Sequence, residues 1–433
     1  MVLSQEDGFM RKARKSSGKE VTDLNQLFLG FLGLEEPWFI QSIEWDPLEG
    51  RVDLHVSFRE GTRFPCPQCG GSHPVHDCLE RTWRHLNLFQ HKTYLHARVP
   101  RTECPEHGVH QIAVPWGEER SGFTLLFEAF VMELAPLLPV KEISRVLGET
   151  DTRLWRIIRR HVDRLLSTQD LTGLRRVGVD ETSYRRGHRY VTAFVDLDRG
   201  HAIWVTEGKG KAVLARFAAY LTSRGVDPSC ITDFTLDMSE AFIQGIGENF
   251  PQARLTFDKF HVIKMMNEAV DQVRREERRS AEELTGSRYL WLYNPESLSP
   301  KQQAALTALL ASRNTRKTQR AYALKLLLQE FYEKVPRWGT VWLKRWYWRA
   351  SHSRLEPVKK LARTIKSHWE GVLNHIRTGI DNGILEGRNS LFKAASAKAR
   401  GYRTSTYAAL SYLLVNAKMQ LRFPRPREAA HTG

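Results

Sequence analysis

The stretch Val177-Gly178-Val179-Asp180-Glu181-Thr182 begins an apolar strand and breaks at a pair of carboxylates. Tyr190 to Val195 and Ala202 to Val205 read as the two strands that follow. Side chains alternate across a strand, so Asp180 and Glu181 point to opposite faces. Asp180 sits where the strand leaves its apolar neighbours and is read as the site residue, with Glu181 in a supporting or structural role. After a helix over about 211–224, Ile231 to Leu236 reads as the next strand and ends in Asp237-Met238-Ser239. A lone Asp there ordinarily caps a helix, but Ser239 can take the cap and leave Asp237 free. A further strand, Leu255 to Phe257, leads into Asp258-Lys259-Phe260-His261-Val262. Asp258 reads first as the cap of the long helix behind it, and His261 as a packed or supporting residue. Strand and helix signals alternate over 174–262, which places these residues in an α/β unit.

The three-strand opening resembles the meander of a ribonuclease-H-like fold, in which a carboxylate on the first strand faces a metal. A third carboxylate comes from far downstream. Asn382-Gly383-Ile384-Leu385-Glu386-Gly387-Arg388-Asn389 starts a helix on which Glu386, Asn389 and Lys393 share a polar face and Leu385 and Phe392 an apolar one. Such a helix can lie on a sheet and still aim Glu386 at the two aspartates, with Asn389 and Lys393 in support. Lys393, Lys398, Arg400 and Arg403 would then lie near a phosphate backbone. Three hard oxygen ligands suit Mg²⁺ or Mn²⁺. Two such ions activate a water or a 3′-hydroxyl on one side and stabilise the leaving oxygen on the other. Nothing in the chain suggests a Ser-His-Asp or Cys-His site instead.

Upstream, one short pattern occurs twice: Cys66-Pro67-Gln68-Cys69-Gly70 and Cys104-Pro105-Glu106-His107-Gly108. A C-x-x-C turn points two thiolates at one tetrahedral ion, and the following glycine permits the tight turn. Two such knuckles on strands make a zinc ribbon with ligands Cys66, Cys69, Cys104 and His107. Cys78, His73 and His76 are alternatives for one ligand. Around them Val52, Leu54, Val56 and Phe58 alternate with polar residues, as a half-buried strand does.

Between ribbon and α/β unit, Pro139 to Gly148 has the spacing of a short helix that Gly148 would end, and Thr150 or Asp151 could cap the next. That next helix carries Leu154, Ile157, Ile158 and Val162 on one face. Arg153, Arg156, Arg159, Arg160 and Arg164 surround it. A short helix, a turn and an arginine-rich helix is how a recognition helix enters a major groove. An apolar helix over Phe123 to Leu138 would complete a three-helix core.

The charge agrees. The chain of 433 residues carries 65 Lys+Arg against 49 Asp+Glu. From Phe260 to Gly433 there are 32 basic and 14 acidic residues, so the whole surplus lies in the C-terminal part. A polyanion such as double-stranded DNA is its natural partner. The apolar run Leu27 to Leu34 is too short to span a bilayer, and no signal peptide is evident near Glu6 and Asp7. Five cysteines, four of them clustered early, suggest metal binding in a reducing compartment. A cytoplasmic, nucleoid-associated bacterial protein with no membrane partner is the expectation.

Residues from about 263 to 375 read as helical and charged. Trp338, Trp342, Trp346 and Trp348 fall close together among Lys344, Arg345 and Arg349. Most of these tryptophans are expected in the core. The basic run Arg354, Lys359, Lys360, Arg363 and Lys366 is expected to meet phosphates.

Taken in order, several pieces together resemble the DDE transposases of bacterial insertion sequences, of the ISL-three type. They are Cys66-Pro-x-Cys69-Gly, Val179-Asp180-Glu181, Leu236-Asp237-Met238, Phe257 to Val262, Asn382-Gly383-x-x-Glu386-Gly387-x-Asn389 and Arg400-Gly401-Tyr402. The resemblance runs from Cys66 to Tyr402 and implies Asp180, Asp237 and Glu386 as catalytic triad, with a helical insertion between the last two. His107 departs from it, standing where Cys is common. It implies a ribonuclease-H-like core preceded by a zinc ribbon and a helix-turn-helix, with segments 1–44 (basic arm and short helix), 45–118 (ribbon), 119–170 (helix-turn-helix), 171–275 (core), 276–375 (insertion), 376–422 (catalytic helices) and 423–433 (tail). It implies binding of terminal inverted repeats, strand cleavage, 3′-hydroxyl strand transfer, and a homodimer or larger synaptic complex. A regulator that has lost catalysis and a structure-selective nuclease are the rival readings.

Overall fold

A computed structural model describes residues 24–333, 336–380 and 382–416. The basic arm with Arg11, Lys12, Arg14, Lys15 and Lys19, and the tail Phe423 to Gly433, lie outside the described residues. The chain divides into two compact units between Glu133 and Leu134.

The first unit opens with α1 (Leu24–Leu32). A sheet follows, built from β1 (Trp38–Asp46), β2 (Arg51–Phe58), β3 (Arg63–Pro65), β4 (Ser72–Leu88), β5 (His91–Cys104) and β6 (Gly108–Gln111). Its order is β1-β2-β5-β4-β3, with β6 on β5. The alternation in β2 buries Val52, Leu54 and Val56 against Trp38, Ile40, Leu95 and Val99. Trp116 meets Trp38 edge-on at 4.8 Å and Trp83 at 5.6 Å. Such pairs stabilise beyond their area alone. Because β1 pairs with β2 from Trp38 onward, the sheet starts before the anticipated residue 45. The helix anticipated over 123–138 is shorter, α2 (Leu125–Leu134), and Leu137 then closes a turn on the Leu134 carbonyl.

The second unit begins with α3 (Val140–Leu147) and α4 (Asp151–Thr168). Gly148 ends α3 in the left-handed region at φ 65°, where a side chain would be strained. Thr150 holds the N-cap position of α4 without a side-chain cap bond. Leu154, Ile157, Ile158 and Val162 are buried, as their spacing requires.

Next come β7 (Arg176–Arg185), β8 (Arg189–Asp196), β9 (His201–Glu207), α5 (Lys211–Ser223), β10 (Asp233–Leu236), α6 (Glu240–Asn249) and β11 (Arg254–Phe257). The sheet order is β11-β10-β7-β8-β9. The first three strands form an antiparallel meander, while β10 and β11 run parallel to β7. The central strand β7 is covered on both faces, which is why Val177-Gly178-Val179 is an unbroken apolar run.

The remainder is helical: α7 (Lys259–Glu277), α8 (Arg288–Leu292), α9 (Pro300–Ala311), α10 (Arg316–Tyr332), α11 (Pro336–Ser351), α12 (Glu356–Ser367), α13 (Trp369–Thr378), α14 (Gly383–Lys398) and α15 (Ser405–Asn416). One core joins these helices to the sheet, from Val177 and Phe234 to Trp291, Leu328, Leu343 and Val358. Trp346 is fully buried and donates Nε1–H to the Leu324 carbonyl at 2.9 Å. Trp342 is partly buried, but Trp338 and Trp348 are 47% and 63% exposed, so only half of this cluster serves the core. In the basic run, Lys359 and Arg363 pair with Glu356, and Lys366 lies over the rings of Tyr347 and Trp369.

Two glycines set the distance of helices from the sheet. A Cβ on Gly178 of β7 would fall 2.7 Å from Leu385 Cδ1 of α14. A Cβ on Gly371 of α13 would collide with the Phe257 ring of β11. No described helix is long and apolar enough to cross a membrane.

Candidate functional site

The zinc ligands anticipated from the paired knuckles converge. Cys66, Cys69, Cys104 and His107 place one ligand atom each within 4.8 Å of one another. Cys69 Sγ lies 3.7 Å from Cys104 Sγ, and His107 Nδ1 lies 3.4 Å from Cys104 Sγ and 4.0 Å from Cys66 Sγ. With Zn–S near 2.3 Å, a tetrahedron has S–S edges of about 3.8 Å, so the donors fit that ion. Gly70 and Gly108, each one residue past its knuckle, have φ 74° and 77°, and Gly70 N–H closes the first turn on the Cys66 carbonyl at 2.8 Å. The backbone N–H groups of Cys69 and Gln68 hold the Cys66 thiol below the usual range, which favours the thiolate a metal takes. His110 Nε2 lies 2.6 Å from the His107 carbonyl and steadies that knuckle. Cys78, His73 and His76 stand outside the ligand group.

In the second unit Asp180 lies on the central strand β7, opposite Ala193 of β8. Its Oδ1 accepts the Glu181 N–H at 2.8 Å. Its Oδ2 accepts from the side-chain amide of Asn389 on α14. Burial, and next the negative charge of Asp237, push its pKa up to about 7. Asp237 follows β10, the strand beside β7. Because β10 pairs in parallel with the start of β7, Asp237, one residue past the end of β10, comes within electrostatic reach of Asp180 midway along β7.

Asp258 caps α7, accepting the Phe260 N–H at 3.0 Å, as its spacing suggested. It also grips His261. His261 Nδ1 lies 2.6 Å from Asp237 Oδ1 and 2.9 Å from Asp258 Oδ2. Those two carboxylates, Asp237 first, push the His261 pKa up to about 10. Asp237, Asp258 and His261 form the second group with ligand atoms within 4.8 Å among the described residues.

Glu386 is exposed in the first turn of α14, one turn before Asn389. It falls outside the groups of ligand atoms drawn within 4.8 Å. What the fold brings against Asp180 is its helix. Leu385 seats on Gly178, Asn382 and Thr235 of β10 share a hydrogen bond, and Asn389 reaches Asp180. Lys393 is exposed on the same helix. Glu181 is half-buried and its carboxyl is raised by that burial, with Lys209, Asp237 and His261 all within electrostatic reach.

Tyr412 escaped the sequence reading. It is fully buried on α15 and donates its hydroxyl to Asn389 Oδ1 at 3.0 Å. That bond fixes the amide so that its NH₂ faces Asp180. No spacing rule links residues 180, 389 and 412, so no local signal could have found it.

The candidate DNA contacts differ among themselves. Arg156 and Arg159 are exposed on α4, whereas Arg153 is held 2.5 Å from the nearly buried Glu149 and Arg160 is partly buried. Lys398 donates to the Leu137 carbonyl at 3.1 Å, and Arg400 and Arg403 are exposed in the loop between α14 and α15.

Comparison with known proteins gives this arrangement its family. A family model described as "Transposase", of ISL3 type, matches residues 177–411. A helix-turn-helix domain of transposase family ISL3 matches 112–162, and the zinc-finger of transposase IS204/IS1001/IS1096/IS1165 matches 62–107. The chain is 30% identical over 420 residues to a transposase for insertion sequence element IS1557 from Mycobacterium tuberculosis, covering 88% of this chain and 92% of that one. It is 25% identical over 397 residues to a transposase for insertion sequence element IS1001 from Bordetella parapertussis, covering 89% and 96%. A zinc ribbon, a helix-turn-helix and a five-stranded core thus follow one another along the chain as the three matched models do, and the chain belongs to the ISL3 family of DDE transposases.

Proposed function

We propose that this transposase binds the terminal inverted repeats of its insertion sequence, hydrolyses a strand at each end, and joins the freed 3′-hydroxyl to target DNA. In this reading Asp180, Asp237 and Glu386 hold two Mg²⁺ or Mn²⁺ ions. Their donors are hard oxygens, the chemistry those cations take. Bound there, the ions would lower the pKa of the attacking hydroxyl and neutralise the leaving oxygen.

The observation that carries the proposal is the hydrogen bond from Asn389 to Asp180. It ties the helix bearing Glu386 to the strand bearing Asp180, beside the strand that ends at Asp237. The chain's own residues do the positioning. Asn389 and the Glu181 N–H each donate to one Asp180 oxygen and hold the carboxylate in place. His261, held by Asp258, orients Asp237. The carboxyl of Asp180, lifted by burial and then by a neighbouring like charge, is what a site that a cation completes would show. Arg156 and Arg159 on α4 are suited to duplex contact, and Arg400 and Arg403 to phosphates close to Glu386. Two ends must be paired for joining, so a dimer or larger assembly is the working form. A structural zinc at the ribbon supports DNA contact without chemistry of its own.

The test is strand cleavage and strand transfer on end-bearing DNA with Mg²⁺, comparing wild type with Asp180→Ala, Asp237→Ala and Glu386→Gln. Each variant should bind the ends and neither cut nor join. Full activity in any one of them would remove that residue from the site. Cutting without joining by the wild type would favour a nuclease instead.

A further inference from the structure

Helix α11 carries two faces that the fold uses differently. Gly339, Leu343, Trp346 and Ala350 point into the core. On the opposite side Trp338, Val341, Arg345 and Trp348 recur at intervals of three and four, which makes a single stripe. Trp338, Val341 and Trp348 are 47%, 55% and 63% exposed. An isolated exposed apolar residue needs no explanation, but two indoles on one stripe do. The core does not require them, since Leu343 and Trp346 already fill the inward face.

The same helix has four cations, Arg337, Lys344, Arg345 and Arg349, and no carboxylate. All four are exposed, and none is joined to a carboxylate among the described residues. Arg337 lies 5.3 Å over the Trp338 ring, and the Trp348 ring stacks on His352 at 4.9 Å. Charge of one sign selects a polyanion. Flat indoles select something with accessible aromatic faces. A paired duplex hides its base faces, whereas an unpaired strand exposes them beside its phosphates.

We propose that this stripe is a stacking platform for unpaired bases of DNA, such as those splayed from a duplex end. Trp338 and Trp348, ten residues apart, stand about 15 Å apart along the helix axis. They stack on bases of one strand while the four cations meet its phosphates. The proposal goes beyond the transposase reading. It needs DNA as the partner but not the carboxylate triad, so it is tested by binding alone.

The experiment is a fluorescence-anisotropy titration of the full chain without added divalent ions. Two labelled duplexes of equal length are used, one fully paired and one with its terminal base pairs mismatched. The splayed duplex should bind about 10-fold more tightly or better, the scale of one stacked base. Trp338→Ala/Trp348→Ala should bind both duplexes alike, at the wild-type affinity for the paired one, with an unchanged circular dichroism spectrum. A base analogue fluorophore in the splayed strand should be quenched by the wild type and not by this variant. Equal binding of both duplexes by the wild type would overturn the proposal, as would a preference that survives in the variant. A variant that keeps the preference but loses self-association in sedimentation would assign the stripe to contact between copies instead. Loss of paired-duplex binding by the variant would overturn it too, because the stripe would then serve duplex DNA and not unpaired bases.

Discussion

Asn389 donates its side-chain amide to Asp180 across 209 positions of chain. Tyr412 sets the orientation of that amide. Supporting residues of this kind typically change metal affinity or activity 10- to 100-fold. Tyr412→Phe should therefore lower strand cleavage by about 10-fold and weaken Mn²⁺ binding, with end binding unchanged. Asn389→Asp sets a carboxylate against Asp180 and should cost more. A Tyr412→Phe enzyme with wild-type cleavage at limiting Mn²⁺ would show that the bond is structural only.

Gly178 predicts a steric result. Its missing Cβ is the space that Leu385 occupies. Gly178→Ala should lower stability by about 1–3 kcal/mol, the usual cost of overpacking, and cut activity further by shifting α14. Leu385→Val in the same chain should recover part of both losses. Thermal unfolding and cleavage rates check this, and a neutral Gly178→Ala would mean that α14 moves freely over β7.

The raised pKa of Asp180 predicts a pH dependence with a definite sign. The native protein binds this proton more tightly than the unfolded chain does. The resulting stability is fully present below pH 4, near the unfolded value, and is lost as pH rises toward about 7. A divalent cation needs the ionised carboxylate, so its effect runs the other way. Mg²⁺ or Mn²⁺ should raise the melting temperature more at pH 8 than at pH 6, and cleavage should climb over the same range. In Asp180→Asn both trends should flatten. Equal stabilisation by Mn²⁺ at the two pH values would contradict the assignment.

The ribbon predicts a stoichiometry. Purified protein should hold one zinc per chain, and Cys66→Ser or Cys104→Ser should hold none. Structural zinc contributes about 10–16 kcal/mol in isolated fingers, so these variants should lose the cooperative melting of the first unit. Cys78→Ser should keep both the metal and the transition, because Cys78 stands outside the ligand group. Metal analysis and calorimetry decide it.

Much of this protein was legible in local spacing. The knuckles, the glycine that ends α3, the inward stripe of α4, the alternation in β2 and the cap at Asp258 each depend on residues within one turn or one strand of each other. Such patterns act through short-range sterics and hydrogen bonding, so neighbours along the chain are enough to fix them. Asp180 and Asp237 were marked out in the same way, as carboxylates where the apolar run of a strand gives way, although β7 continues past Asp180 to Arg185.

Other features depend on packing between distant segments. The sheet order places β10 beside β7, and so Asp237 next to Asp180, through pairing between distant strands. His261 joining Asp237 to Asp258, and Tyr412 holding Asn389, arise where separate helices pack on that sheet. The four clustered tryptophans share a residue type and a neighbourhood, yet Trp346 is buried while Trp338 and Trp348 face outward. Burial is a property of what lies against a side chain, and for these residues that is chain far away in sequence. Spacing can name the candidates for such roles, but only packing assigns them.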